Sequence, residues 1–120
     1  MYFNFPLFKR LATRAYNNVG GTNFSLEETL YVFEYYFNKY EKTFRQVHPN
    51  IRMAQIEKIV DAMPYIDNDG TSSAGFDVDS DVYETLIDKH FQTQYHNCDY
   101  NINHFFSGDI RLLRFYEELY

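Results

Sequence analysis

Between Asp61 and Asp88 the chain carries Asp61, Asp67, Asp69, Asp77, Asp79, Asp81, Glu84 and Asp88 and not one Lys or Arg. Spaced carboxylates offer acceptor oxygens to Arg and Lys, so such a run can imitate a phosphate backbone or fill a basic groove on a partner. It also has a plain structural reading: a solvated loop and a helix N-terminus both favour Asp, and Asp79 and Asp81 would meet the positive end of a helix dipole. Calcium is a third chemistry to weigh. Asp77, Asp79 and Asp81 stand at i, i+2 and i+4, as the first ligands of an EF-hand loop do. The rest of that pattern fails, with Val82 where glycine is needed, Asp88 where a bidentate glutamate is usual, and Gly70 at the wrong offset from Asp67 and Asp69.

His90, His96, Cys98 and His104 form a second cluster, and His with Cys is suitable ligand chemistry for zinc. Their spacings match no zinc pattern. His90 shares an apolar helix face with Phe91 and His104 precedes Phe105 and Phe106, so both read as packed histidines. A Cys–His nucleophile pair lacks a glycine-rich turn or an orienting motif beside it. The chain contains no P-loop, no G-x-G-x-x-G and no H-E-x-x-H. No catalytic residue, metal ligand or cofactor is therefore assigned; an enzyme centred on His96, Cys98 and His104 is the third-ranked reading, and bound zinc would revive it.

The 120 residues carry a net charge of −6, and the acidic stretch alone accounts for −8, which leaves a mildly basic remainder. Such asymmetry builds a local potential. Tyr and Phe number twelve each and Trp is absent, so aromatic packing should dominate the core. Two tyrosines stand apart. Tyr31 and Tyr35 project opposite the Phe33 and Phe37 stripe of their helix, on the side holding Asn38 and Lys42, and rings at this spacing suit a protein interface or a homodimer as well as another helix. Together with Lys9, Arg10, Arg14, Lys39 and Lys42 they could instead stack on a single-stranded nucleic acid, a reading the net charge opposes.

The elements that position these groups are helical. Pro6, with Leu7, Phe8, Leu11, Ala12 and Ala15 at helical spacing, predicts a helix over 6–16, ended by the turn residues around Gly20 and Gly21. Ser25 and Glu28 form an S-x-x-E capping box, so a second helix should begin at Leu26; Leu26, Leu30, Phe33, Phe37, Tyr40 and Phe44 lay one apolar stripe along it. Glu41 and Arg45 add a surface pair. Asn50 is placed to cap a third helix running to Met63, which Pro64 stops. Residues 64–79 read as a long acidic loop, with strand-like alternation only at Phe76 and Val78. Asp79, Ser80 or Asp81 would cap a fourth helix whose Tyr83, Leu86, Ile87, His90 and Phe91 share a face. After a break at Ser107 and Gly108, Ile110, Leu113, Tyr116 and Tyr120 make a last helical face. One all-α domain over 1–120 follows, a compact bundle of about five helices with one long acidic loop and mostly antiparallel neighbours. A single cysteine, an apolar start without a basic n-region and the lack of an uninterrupted apolar span predict a cytoplasmic protein with no membrane partner.

The closing string from Cys98-Asp99-Tyr100-Asn101-Ile102-Asn103-His104-Phe105-Phe106-Ser107-Gly108-Asp109-Ile110-Arg111 through Arg114-Phe115-Tyr116-Glu117-Glu118-Leu119-Tyr120 resembles small accessory proteins carried on mobile genetic elements of Gram-positive bacteria. It covers about a fifth of the chain and carries no functional residue across. In that context short, acidic, tyrosine-rich proteins resemble anti-CRISPR or anti-restriction inhibitors, nucleic-acid mimics that occlude a nuclease. The expectation is a non-enzymatic inhibitor or adaptor in which Asp67, Asp69, Asp77, Asp79, Asp81 and Glu84, flanked by Tyr31 and Tyr35, dock on the basic surface of a host nuclease or other nucleic-acid-binding protein. The alternative is a helical nucleic-acid-binding accessory protein of a mobile element.

Overall fold

The computed structural model describes residues 5–66, 76–77, 80–93 and 99–106. Within them the chain forms α1 (Phe5–Asn18), α2 (Leu26–Phe44), α3 (Met53–Ala62), a two-residue ladder of β1 (Tyr65–Ile66) and β2 (Phe76–Asp77), α4 (Ser80–Gln92) and the single turn α5 (Ile102–Phe105). This is the all-α bundle that the apolar periodicity predicts. The helical face expected at Ile110, Leu113, Tyr116 and Tyr120 lies outside the described residues.

In α1 the buried line is Phe8, Ala12 and Ala15. Leu7, one residue off that line, is 53% exposed instead of joining it. The helix ends where Gly20 and Gly21 take φ of 85° and 80°, a left-handed conformation that lets their N–H groups reach back to the carbonyls of Asn17 and Tyr16.

At the start of α2 the capping box is complete: Ser25 Oγ accepts from the Glu28 N–H and the Glu28 carboxylate accepts from the Ser25 N–H, each at 3.1 Å. Leu30, Phe33, Phe37 and Tyr40 of the expected stripe are buried, while Phe44 is left exposed at the end. Thr29, Val32 and Tyr36 are buried as well, because α2 is the central helix and covers two neighbours. Phe8 meets Phe33 and Phe37 edge-on at 5.0 and 4.9 Å on the α1 side, and Tyr36 meets Phe91 and Phe105 at 5.0 and 5.4 Å on the other. Arg45 closes the helix with φ of 55° and its N–H on the Glu41 carbonyl, so the contact of these two residues runs through the backbone and not through the expected ion pair.

The third helix starts later than Asn50 suggests. Ile51 is buried ahead of the helix and Arg52 is the extended N-cap residue, so α3 begins at Met53, with the Gln55 side chain accepting from the Arg52 N–H at 3.0 Å. It packs on α1, where Asn18 Nδ2 donates to Glu57 Oε2 at 2.8 Å, and it buries Ile56, Ile59 and Val60.

The feet of the expected acidic loop are paired. Tyr65 opposes Asp77 and Ile66 opposes Phe76 in antiparallel register, and the Tyr83 hydroxyl donates to the Met63 carbonyl, which ties the first turn of α4 to the end of α3. In α4 the buried residues are Tyr83, Leu86, Ile87 and His90, as the spacing predicts.

One expectation about direction is corrected. The α1–α2 hairpin is antiparallel, with Phe8 against Phe37 at one end and the Tyr16 hydroxyl donating to the Phe24 carbonyl at the other. By contrast α2 and α4 run parallel: Phe24 faces Tyr83, Tyr31 faces Glu84, Tyr35 faces Asp88 and Tyr40 faces Phe91, with both numbers rising together. These two helices are not consecutive, with α3 and the β1–β2 ladder between them in the chain, so short-connection reasoning does not govern this pair.

Candidate functional site

Along α4, Asp81, Glu84 and Asp88 are separated by three and four residues and so share one face. Tyr31 and Tyr35, four apart on the parallel α2, meet them in register. The Tyr31 hydroxyl donates to Glu84 Oε2 at 3.0 Å and the Tyr35 hydroxyl donates to Asp88 Oδ1 at 2.7 Å. Lys39 completes the row, its Nζ 2.9 Å from Asp88 Oδ1 and 5.8 Å from the centre of the Tyr35 ring. The two tyrosine rings lie 6.1 Å apart. The result is a strip of two phenols, three carboxylates and one ammonium over the α2–α4 seam.

The face of Tyr31 and Tyr35, which the sequence left open between an interface and packing on another helix, meets α4 through its hydroxyls. Tyr31 remains 46% exposed and Tyr35 is half-buried, and each hydroxyl is committed to α4. Those bonds shape the electrostatics. The Tyr31 phenol is pushed above its ordinary value first by its hydrogen bond to Glu84, with burial and the charges of Glu84 and Asp81 acting in the same direction. Burial comes first for Tyr35, then the bond to Asp88 and the carboxylate charges, and together they push its phenol far up. Both phenols stay neutral donors at physiological pH and add no charge of their own to the row. Lys39 offsets that of Asp88; Glu84 has no cation beside it among the described residues, and Asp81 is exposed at the open end of the row.

Of the predicted partner-binding residues, the fold thus brings together Tyr31, Tyr35, Glu84 and Asp81. Asp77 sits in β2 opposite Tyr65, at the foot of the acidic loop. Asp67, Asp69 and Asp79 lie outside the described residues. Sequence reasoning did not single out Asp88 and Lys39 as members of the strip; the signal was available in the matching four-residue spacings of Tyr31–Tyr35 and Glu84–Asp88.

The second cluster divides. His90 is fully buried among the rings of Phe91, Tyr100 and Phe105, consistent with a packed histidine, and His104 is half-buried on α5. His96 and Cys98 lie outside the described residues. Among the described residues no three His, Cys, Asp or Glu side chains converge as metal ligands, and no helix is long and apolar enough to cross a membrane. Sequence reasoning overlooked His48 altogether, a buried imidazole in the α2–α3 connection. No family model, curated protein or solved structure matches the chain. What the strip offers chemically is acceptor oxygens, held in fixed register by donors from the neighbouring helix, to which a cationic partner can add its own hydrogen bonds.

Proposed function

We propose that the protein is a non-enzymatic inhibitor or adaptor that docks the acidic strip of its α2–α4 seam on a basic groove of a nucleic-acid-processing protein, in the manner of an anti-CRISPR or anti-restriction factor. The observation that carries this reading is the single line of Asp81, Glu84 and Asp88, which spans roughly 10 Å of helix axis at 1.5 Å per residue and in which tyrosine hydroxyls buttress Glu84 and Asp88. Such buttressing supports binding because the carboxylates are already positioned and lose little freedom on meeting Arg or Lys. Tyr31 adds a ring that keeps exposed area beside the charges, a residue type favoured at interfaces. In this reading Asp67, Asp69, Asp77 and Asp79 of the same acidic stretch of sequence contribute further carboxylates to the partner.

The test is capture of the partner from the protein's own cells after nuclease treatment, compared with the triple variant Asp81→Asn, Glu84→Gln, Asp88→Asn. Loss of capture and a shallower salt dependence, with the helical CD spectrum retained, is the expected result. Equal capture by the triple variant would refute the role of the strip. One observation favours a second reading: Lys9, Arg10 and Arg14 are all exposed on α1, which makes a small basic face. If nucleic acid alone is recovered, and its retention falls steeply with salt, that face is the working surface and the protein is a nucleic-acid-binding accessory factor.

A further inference from the structure

His48 lies far along the chain from α5 yet bonds to it. The ring is 3% exposed, with Tyr40 at 4.7 Å, Phe37 at 4.9 Å and Tyr36 at 6.1 Å around it, all from α2. Its two nitrogens have opposite tasks. Nδ1 lies 2.8 Å from the Pro49 carbonyl oxygen, which can only accept, and Nε2 lies 2.9 Å from the Ile102 backbone nitrogen, which can only donate. Both bonds exist together in one protonation state, the neutral ring with its proton on Nδ1. A second proton, on Nε2, would set two N–H groups against each other across 2.9 Å and remove the bond to Ile102.

The segment that this bond holds is short. Besides the His48 contact, the Tyr36 hydroxyl donates to the Tyr100 carbonyl at 2.7 Å, the Tyr100 hydroxyl donates to the Thr93 carbonyl, and Ile102 and Phe105 are fully buried. Tyr100 itself has φ of 58°, a left-handed conformation that disfavours a bulky residue and that the docked arrangement imposes.

We propose that His48 is a proton-operated latch on the segment Asp99–Phe106: the neutral ring holds the segment against α2, and uptake of a proton at Nε2 releases it while the α1–α2–α3 core stays folded. Burial of His48 lowers its affinity for that proton, which outweighs the contrary effects of the Pro49 carbonyl and the Asp99 charge, so the latch is closed at neutral pH. The direction follows from linkage. The released ring titrates near the ordinary value of 6.5, so docking is fully favoured above that pH and weakens up to tenfold for each unit of acidification below it, until the docked ring also takes up its proton. Of the other titratable groups, Tyr40 of α2 packs on the ring with its phenol pushed up by burial, Asp99 ahead of α5 places its charge near it, and Tyr36 of α2 packs beside it, with the ring of His90 of α4 6.3 Å from that of Tyr36.

Amide hydrogen exchange of the full chain, followed by NMR from about pH 7.5 to 5 and corrected for intrinsic exchange, tests the latch. Protection at the Ile102 and Phe106 amides should fall by up to tenfold per pH unit below about 6.5 while the Phe33 and Phe37 amides keep theirs. In His48→Gln the side-chain oxygen can still accept from Ile102 but does not titrate, so the fall should vanish. The imidazole nitrogen shifts of the unmodified protein give a readout that needs no variant: His48 should be the Nδ1-protonated tautomer at neutral pH and should titrate in step with the loss of protection. Constant protection at Ile102, a fall shared equally by α2, persistence of the fall in His48→Gln, or an Nε2-protonated ring at neutral pH would each overturn the proposal.

Discussion

Removing one hydroxyl should cost very different amounts at two adjacent positions of α4, Tyr83 and Glu84, where the helix meets the rest of the bundle. Tyr83 is 1% exposed and its hydroxyl donates to the carbonyl of Met63, itself fully buried. Tyr83→Phe deletes that donor without altering the ring, so the carbonyl loses a partner where water does not reach, a loss of about 1–3 kcal/mol. The Tyr31 hydroxyl also donates, to Glu84 at 3.0 Å, but from a side chain 46% exposed, where water replaces it. For a domain of this size a urea dependence of about 1–1.5 kcal/mol per M places the Tyr83→Phe midpoint roughly 0.7–3 M below that of the parent. Tyr31→Phe should leave the midpoint in place. Urea titrations monitored by CD, with the slope checked for constancy, read both. A Tyr83→Phe midpoint equal to the parent's, or a Tyr31→Phe shift as large as that of Tyr83→Phe, would refute the argument that burial of the acceptor sets the cost.

Two further outcomes follow from the contacts around α2. Ser25→Ala should destabilise the protein by about 1 kcal/mol in thermal or chemical unfolding, and Ser25→Asp, which still offers an acceptor to the Glu28 N–H, should recover most of it. In an alkaline titration of the tyrosines followed by NMR, Tyr35 should remain protonated well beyond the ordinary value of 10, and Asp88→Asn should bring its ionisation down, since burial and the Asp88 carboxylate both oppose the phenolate. Ionisation of Tyr35 at the ordinary value would mean that the hydrogen bond across the seam is not formed in solution.

Local rules made most helices legible. Ser25 and Glu28 announce the start of α2, and Tyr83, Leu86, Ile87 and His90 announce the inner face of α4, because capping and amphipathic spacing act within one or two turns. The second buried face of α2 was hidden. Thr29 and Tyr36 are polar enough to read as surface, yet Thr29 passes its hydroxyl to the Ser25 carbonyl and Tyr36 passes its own to Tyr100, so both can be buried without an orphaned donor. His48 was invisible for a related reason: its partners are backbone groups on either side of a long stretch of chain, and backbone groups leave no mark in a sequence. The strip was half legible. Its residue types and their four-residue spacings are local facts, but that Tyr31 and Tyr35 serve Glu84 and Asp88 depends on two helices lying parallel, which no local pattern encodes.

That parallel seating bears on how the molecule assembles. Tyr31 and Tyr35 find Glu84 and Asp88 across 53 residues of chain, whereas the contacts of Phe8 with Phe33 and Phe37 arise within a hairpin with a short connection. Closing the longer loop costs more chain entropy before any contact rewards it, so α1 and α2 form the natural nucleus and α4 docks afterwards. A bundle of helices, built largely from local pieces that form quickly, thus contains a slower, non-local step. The acidic seam is the product of that step, and during synthesis its chemistry exists only once residues well past the middle of the chain have been made.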